Sequence, residues 1–207
     1  MNGELDFAEA LAERVATLEG LSVDRVESIA DSIEPVPGAE TLVATAHARG
    51  CAVGLVSGGF IEVIGGLARR LGVDCVLANR LETSDGALTG RTEGEIVTRE
   101  RKAEALRRWS EGGRLPGADL PGGSDSPKGS NLPEDSAPPL EARGRESADA
   151  RSRGFPSPRE RIDLSETVAA GDGANDLSMM EIAGLSVAVC AKPAVLAAAD
   201  AAVTRPR

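Results

Sequence analysis

The 207-residue sequence is poor in aromatic side chains, with three Phe, one Trp and no Tyr. Any core must therefore be aliphatic, built from Val, Leu, Ile and Ala. It holds one histidine, His47, in a helix-like stretch that reads as partly exposed. That argues against a serine triad and against a histidine metal cluster. The three cysteines, Cys51, Cys75 and Cys190, are far apart and odd in number. Their spacing fits neither a disulfide framework nor a zinc site. They read as buried reduced thiols of a cytosolic protein. A basic patch is also missing, and the formal net charge is -10. This sets nucleic-acid binding aside. An acidic surface still permits an anionic substrate if local cations and a metal neutralise it. No apolar run approaches a membrane span, and the N-terminus lacks the charged-then-apolar pattern of a signal peptide. No membrane partner is expected, and the location expected is cytoplasmic.

What is present is aliphatic periodicity broken by glycine. Phe7, Leu11, Val15 and Leu18 recur at helical spacing and predict a helix over 4–19. Arg14 is the anomaly, falling about 20° from Phe7 inside the apolar stripe. A long arginine can snorkel from the edge of such a stripe. A second short helix is expected around Val23 to Ile33, and a third from Ala39 to Arg49, ended by Gly50. Cys51 to Val56 has strand length and stops at Ser57-Gly58-Gly59. A helix then runs to Gly72. Val73 to Leu77 reads as a strand, residues 78–93 as a hairpin turning at Asp85-Gly86, and Thr98 to Trp109 as a helix.

Eight of the twelve prolines fall between residues 112 and 161. That segment is also rich in Gly, Ser and charge, and reads as a flexible, disordered insertion. Regular pattern resumes with a strand over Thr167 to Ala170, running into Gly171-Asp172-Gly173-Ala174-Asn175-Asp176. A helix, a strand over Ser186 to Cys190 and a short helix over Ala194 to Ala199 follow. The alternation predicts an α/β fold with a parallel sheet and helices on both faces. Such sheets bind ligands at the carboxyl ends of their strands. Both Gly-rich turns follow strands, so both fall on one rim.

The chemistry sits in those turns. The Ser57 hydroxyl and neighbouring amides suit a phosphate oxygen, although a Ser-Gly-Gly turn is also common punctuation. The second turn packs two carboxylates and an amide into five residues. Mg²⁺ favours few carboxylates, keeps waters and shares phosphate oxygens. Asp172 is the natural metal ligand, Asp176 binds metal or orients its water, and Asn175 reaches substrate. An Asx-type turn with a helix cap at Asp176 is the structural alternative. A dinucleotide loop is a second one, weakened because Asp176 replaces its third glycine. Lys102 shares a helical face with Leu106 and Trp109, from which it can offset a phosphate's charge. A solvated lysine on a charged helix is the plainer reading.

Together these segments resemble phosphoserine phosphatases of the haloacid dehalogenase superfamily. The matching stretches are GELDFAEALAERVATLEGL near the start, LVSGGF at 55–60, ANRLETSDGALTGR at 78–91, KAEALRR at 102–108 and VAAGDGANDLSMM at 168–180. The resemblance implies a Rossmann-like core over 36–111 and 162–207, interrupted by the insertion, with a helical cap segment over 1–35. It implies a Mg²⁺-dependent phosphoric monoester hydrolase acting on O-phospho-L-serine at the end of serine biosynthesis. Other small carboxylate-bearing phosphate esters are alternative substrates. Ser57, Gly58 and Lys102 would hold the phosphate, with Lys102 also catalytic in stabilising the phosphoryl transition state, Asp172 the metal with Asp176 in support, Asn175 the substrate, and Arg14 its carboxylate. In such enzymes one aspartate attacks phosphorus and a second, two residues later, protonates the leaving oxygen. No two aspartates of this sequence stand two residues apart. The expectation is therefore a chain lacking the central nucleophile strand, inactive alone: a fragment, a gene start placed too late, or a binder of phosphorylated ligands.

Overall fold

A computed structural model describes residues 2–113, 118–119 and 161–204 of the chain. Helix α1 spans Asn2–Ala16, α2 Val23–Asp31 and α3 Ala39–Ala48. The apolar stripe of α1 buries Leu11 and Val15 with Val26 of α2. Strand β1 (Gly54–Phe60) leads through α4 (Ile61–Leu71) to the parallel strand β2 (Cys75–Ser84). The strand expected at 73–77 and the first arm of the expected hairpin are thus one strand of ten residues. Its first half pairs with β1, and its second half pairs antiparallel with β3 (Ala87–Glu93).

The hairpin turns at Asp85 and Gly86 with φ of 51° and 77°. Positive φ at both central residues matches the right-handed twist of the flanking strands, and an Asp-Gly pair adopts it readily. Leu81 and Leu88 from this hairpin complete the cluster begun by α1 and α2, with Phe60 and Val63 at its margin. The first 35 residues therefore bury their apolar stripe on the hairpin and on the start of α4.

Helix α5 (Arg99–Ser110) opens with Thr98, whose hydroxyl accepts the Arg101 N–H. Of the segment read as a disordered insertion, Ala118–Asp119 form a two-residue strand, β4, against β2. The remainder of that segment, apart from its first two residues and its last, lies outside the described residues. Beyond it, β5 (Val168–Gly171), α6 (Leu177–Met180), β6 (Leu185–Val189), α7 (Pro193–Ala198) and β7 (Ala201–Val203) form a second, wholly parallel sheet in the order β5-β6-β7. Strand β7 had no counterpart in the sequence reading, because three residues of small side chains carry no measurable alternation.

The parallel strands thus fall into two sheets rather than one. Among the described residues β1 pairs only with β2, and β5 only with β6. Parallel strands are normally buried on both faces, yet no residue of β1 is fully buried. Helix α5 joins the halves. Trp109 lies against Gly54 of β1, where any Cβ would overlap its ring. One turn earlier, Leu106 packs on the Ala169, Met180, Ala188 and Val195 cluster of the second sheet.

The cysteines divide differently from expectation. Cys75 is buried, but Cys51 and Cys190 are exposed, because both fall outside the strands their apolar runs suggested. His47 does lie half-exposed on α3, bonded to Asp74 at 2.8 Å.

Candidate functional site

The first Gly-rich turn is part of β1 rather than a loop after it. Val56 pairs with Leu77 and Phe60 with Asn79, so β1 advances four residues while β2 advances two. Ser57-Gly58-Gly59 bulge out of the ladder, and α4 begins only at Ile61. Bulges re-aim side chains at strand ends. The helix N-terminus expected at Ser57 is therefore displaced past Phe60. Within the bulge the Ser57 hydroxyl oxygen accepts the Gly59 N–H at 3.0 Å. Gly58 faces the ring of Phe7 on α1, whose tip lies 3.8 Å from where a Cβ would stand. Sequence reasoning missed one residue here. Asn79 is 2 % exposed, and its side chain reaches the Gly58 carbonyl at 2.8 Å and the Val97 N–H at 2.7 Å. A polar residue in an apolar strand run was the available signal.

The second turn follows β5. Asp176 folds back beneath it and is buried, with Oδ2 accepting the N–H groups of Asp172 (3.2 Å) and Gly173 (3.1 Å). Its Oδ1 accepts from Lys102 Nζ at 2.6 Å. Gly171 is required because a Cβ there would collide with the Asp176 side chain. Lys102, read as a phosphate partner, uses one of its three N–H donors on this carboxylate. The two side chains are 6 % and 8 % exposed, and a buried ammonium demands a buried counter-charge. Asp176, read as a metal support, is correspondingly occupied on both oxygens.

Asp172 and Asn175 are exposed on the same turn. Among the described residues no protein group bonds the Asp172 carboxylate, while its carbonyl accepts the Lys192 N–H. Arg14 is exposed at the last turn of α1, on the same edge of the stripe as Phe7, which is itself exposed. The helix ends two residues later, and the stripe that is buried runs through Leu11 and Val15. Among the described residues no group of three or more His, Cys, Asp or Glu could form a protein-only metal cage.

Two family models, both described as haloacid dehalogenase-like hydrolase, match residues 1–127 and 158–206. The chain belongs to the haloacid dehalogenase-like hydrolases. Among these hydrolases it is similar to the phosphoserine phosphatase of Lactococcus lactis, at 37% identity over 96% of this chain and 70% of that protein. The phosphoserine phosphatase of Streptococcus thermophilus is 39% identical over 100% of the chain and 74% of its own length. A solved apo phosphoserine phosphatase superposes with a TM-score of 0.71 at 31% identity, over 98% of this chain and 78% of that one. A substrate-bound phosphoserine phosphatase complex gives 0.70 at 32% identity, over 100% and 76%. The hydrolase fold and the family branch expected from the motifs are therefore shown.

Proposed function

We propose that this chain forms the phosphate- and substrate-holding part of a phosphatase for O-phospho-L-serine, working in the cytoplasm at the end of serine biosynthesis. The observation that carries the reading is Asp172. It is an exposed carboxylate with no protein partner among the described residues, at the carboxyl end of a parallel strand, on a turn locked from beneath by Asp176 and Lys102. Hard oxygen donors of this kind suit Mg²⁺, which needs only one or two carboxylates when waters and a phosphate complete its shell. Asp172 would hold the ion, and when bound the ion would neutralise charge on the phosphoryl oxygens. Ser57 and the Gly58 backbone would hold the phosphate from the other turn. Asn175 would contact the substrate's polar groups, and Arg14 would meet its carboxylate as a charge-assisted pair. Lys102 supports the site from behind by fixing Asp176, which in turn holds the amides of Asp172 and Gly173.

The reaction needs an attacking aspartate with a second acid two residues on, and that pair is absent from the 207 residues. The same observation favours a second reading, in which the chain holds phosphorylated ligands without hydrolysing them. Calorimetric titration with O-phospho-L-serine in the presence of Mg²⁺ is expected to show binding without phosphate release. A version with an added strand ending in Asp-x-Asp ahead of residue 1 is expected to gain hydrolysis. Absence of binding by both versions would reject the phosphoserine reading.

A further inference from the structure

Asn79 belongs to no binding motif of the sequence, yet its amide joins the first turn to the segment that leads into α5. Its Nδ2 donates to the Gly58 carbonyl at 2.8 Å, and its Oδ1 accepts the Val97 N–H at 2.7 Å. The partners fix the orientation: a carbonyl can only accept and a backbone N–H can only donate. At 2 % exposure these bonds lie out of water, where a hydrogen bond is strong and an unmade one is costly.

The Gly58 carbonyl and the Gly59 N–H belong to one planar peptide unit. Holding the carbonyl therefore fixes the direction of the N–H on its far side. That N–H donates to Ser57 Oγ at 3.0 Å. With its oxygen engaged as acceptor, the Ser57 hydroxyl keeps its proton for an outside acceptor. Hydrogen bonds in such a series polarise one another. We infer that Asn79 is a positioning residue, acting through the Gly58–Gly59 peptide to present the Ser57 hydroxyl as a donor to a phosphate oxygen. Its other bond ties this turn to Val97, next to Thr98, the cap of the helix that carries Lys102. One buried amide thus sets the first turn relative to the helix that locks the second.

The inference rests on the phosphate-binding reading of Ser57, so two measurements separate the two claims. The first needs no ligand. Amide hydrogen exchange on the 207-residue chain is expected to show Gly59 protected, and Asn79→Leu is expected to expose it while Leu77 of β2 stays protected. Unchanged Gly59 protection overturns the inference. Should Asn79→Leu not fold, Asn79→Ser, which shortens the reach to Gly58, is read in the same way. The second is a double-mutant cycle on affinity for inorganic phosphate. Asn79→Ser in the unaltered chain is expected to weaken phosphate by about tenfold or more, the scale of a hydrogen bond to a charged group. In a Ser57→Ala background the same change is expected to cost nothing further. A purely structural Asn79 would weaken both backgrounds equally, and that result overturns the inference. If the unaltered chain binds no phosphate, the binding reading fails, while the exchange result still decides whether Asn79 positions the turn.

Discussion

In the proposed function the two Gly-rich turns do similar work by opposite means. The Ser57 turn is a bulge in β1, and its anchor comes from outside, from the neutral amide of Asn79 on β2. The Asp172 turn is anchored from within its own six residues by Asp176, and a charge from α5 completes the anchor. The difference follows from what each turn must leave free. A hydroxyl that donates to a ligand needs only its oxygen oriented, so neutral groups suffice. A carboxylate that receives a cation must stay exposed and unpaired, and a second, buried carboxylate beneath it would repel it. Lys102 cancels that repulsion. Nearest-neighbour chemistry therefore makes the second turn the more fragile to single substitutions.

The largest expected effect breaks that charge pair. Lys102→Ala leaves Asp176 buried and uncompensated, which costs about 3–5 kcal/mol. Chemical denaturation of the two chains side by side measures it. Replacing both partners by apolar residues of similar volume, Lys102→Met with Asp176→Leu, is expected to recover most of that stability. It is not expected to recover Mg²⁺-dependent binding of phosphoserine, because the Asp172 and Gly173 amides lose their acceptor. Recovery of both would mean that Asp176 fills space without organising the turn.

Gly171→Ala comes next. A methyl group there meets the Asp176 side chain, and overpacking of this kind costs about 1–3 kcal/mol. Thermal unfolding should register the loss, and Mg²⁺ affinity should fall with it. Asp172→Asn sharpens the comparison from the other side. The residue is exposed and unpartnered among the described residues, so stability is expected to change by less than about 0.5 kcal/mol. Mg²⁺-dependent ligand binding is expected to disappear. A stability loss as large as that of the Lys102 variant would show that Asp172 is structural.

Much of this comparison was legible in the sequence. Periodicity placed α1, α2, α3 and α5 within a few residues of their observed ends, because glycine and proline punctuate them clearly. The Asp85-Gly86 turn was read from its dipeptide. Spacing placed Ser57 and Asp172 at the ends of strands and Lys102 on an inward helix face, but not the partners of each. That Lys102 meets Asp176 depends on how α5 packs across two sheets, a contact spanning 74 positions. Asn79 was hidden for a similar reason: its role rests on a bulge whose register no local pattern encodes. Arg14 and Phe7 share one edge of the α1 stripe and both are exposed, and which edge of a stripe is covered depends on packing that spacing cannot decide.

The smallest effect concerns the far edge of the second half. The Asp200 carboxylate accepts both the N–H and the hydroxyl of Ser186, at 2.9 and 2.7 Å, and the Ser186 hydroxyl oxygen accepts the Asp200 N–H. These bonds, that of the Ser186 hydroxyl first, hold the Asp200 carboxyl below the usual aspartate range. A folded-state value below the unfolded one means that stability is fully present above the ordinary aspartate pKa. It is lost as pH falls through the lowered one. Asp200→Asn is therefore expected to lower the melting temperature slightly at neutral pH. The gap between the two chains is expected to narrow as pH falls below about 4 and to close near full protonation. The Asp172 turn should keep its order throughout the neutral range, since Asp200 lies on the loop into β7 and touches Ser186 rather than the turn. If Asp200→Asn instead weakened Mg²⁺-dependent binding at neutral pH, the two ends of the β5-β6-β7 sheet would be coupled, and the second turn could not be called self-anchored.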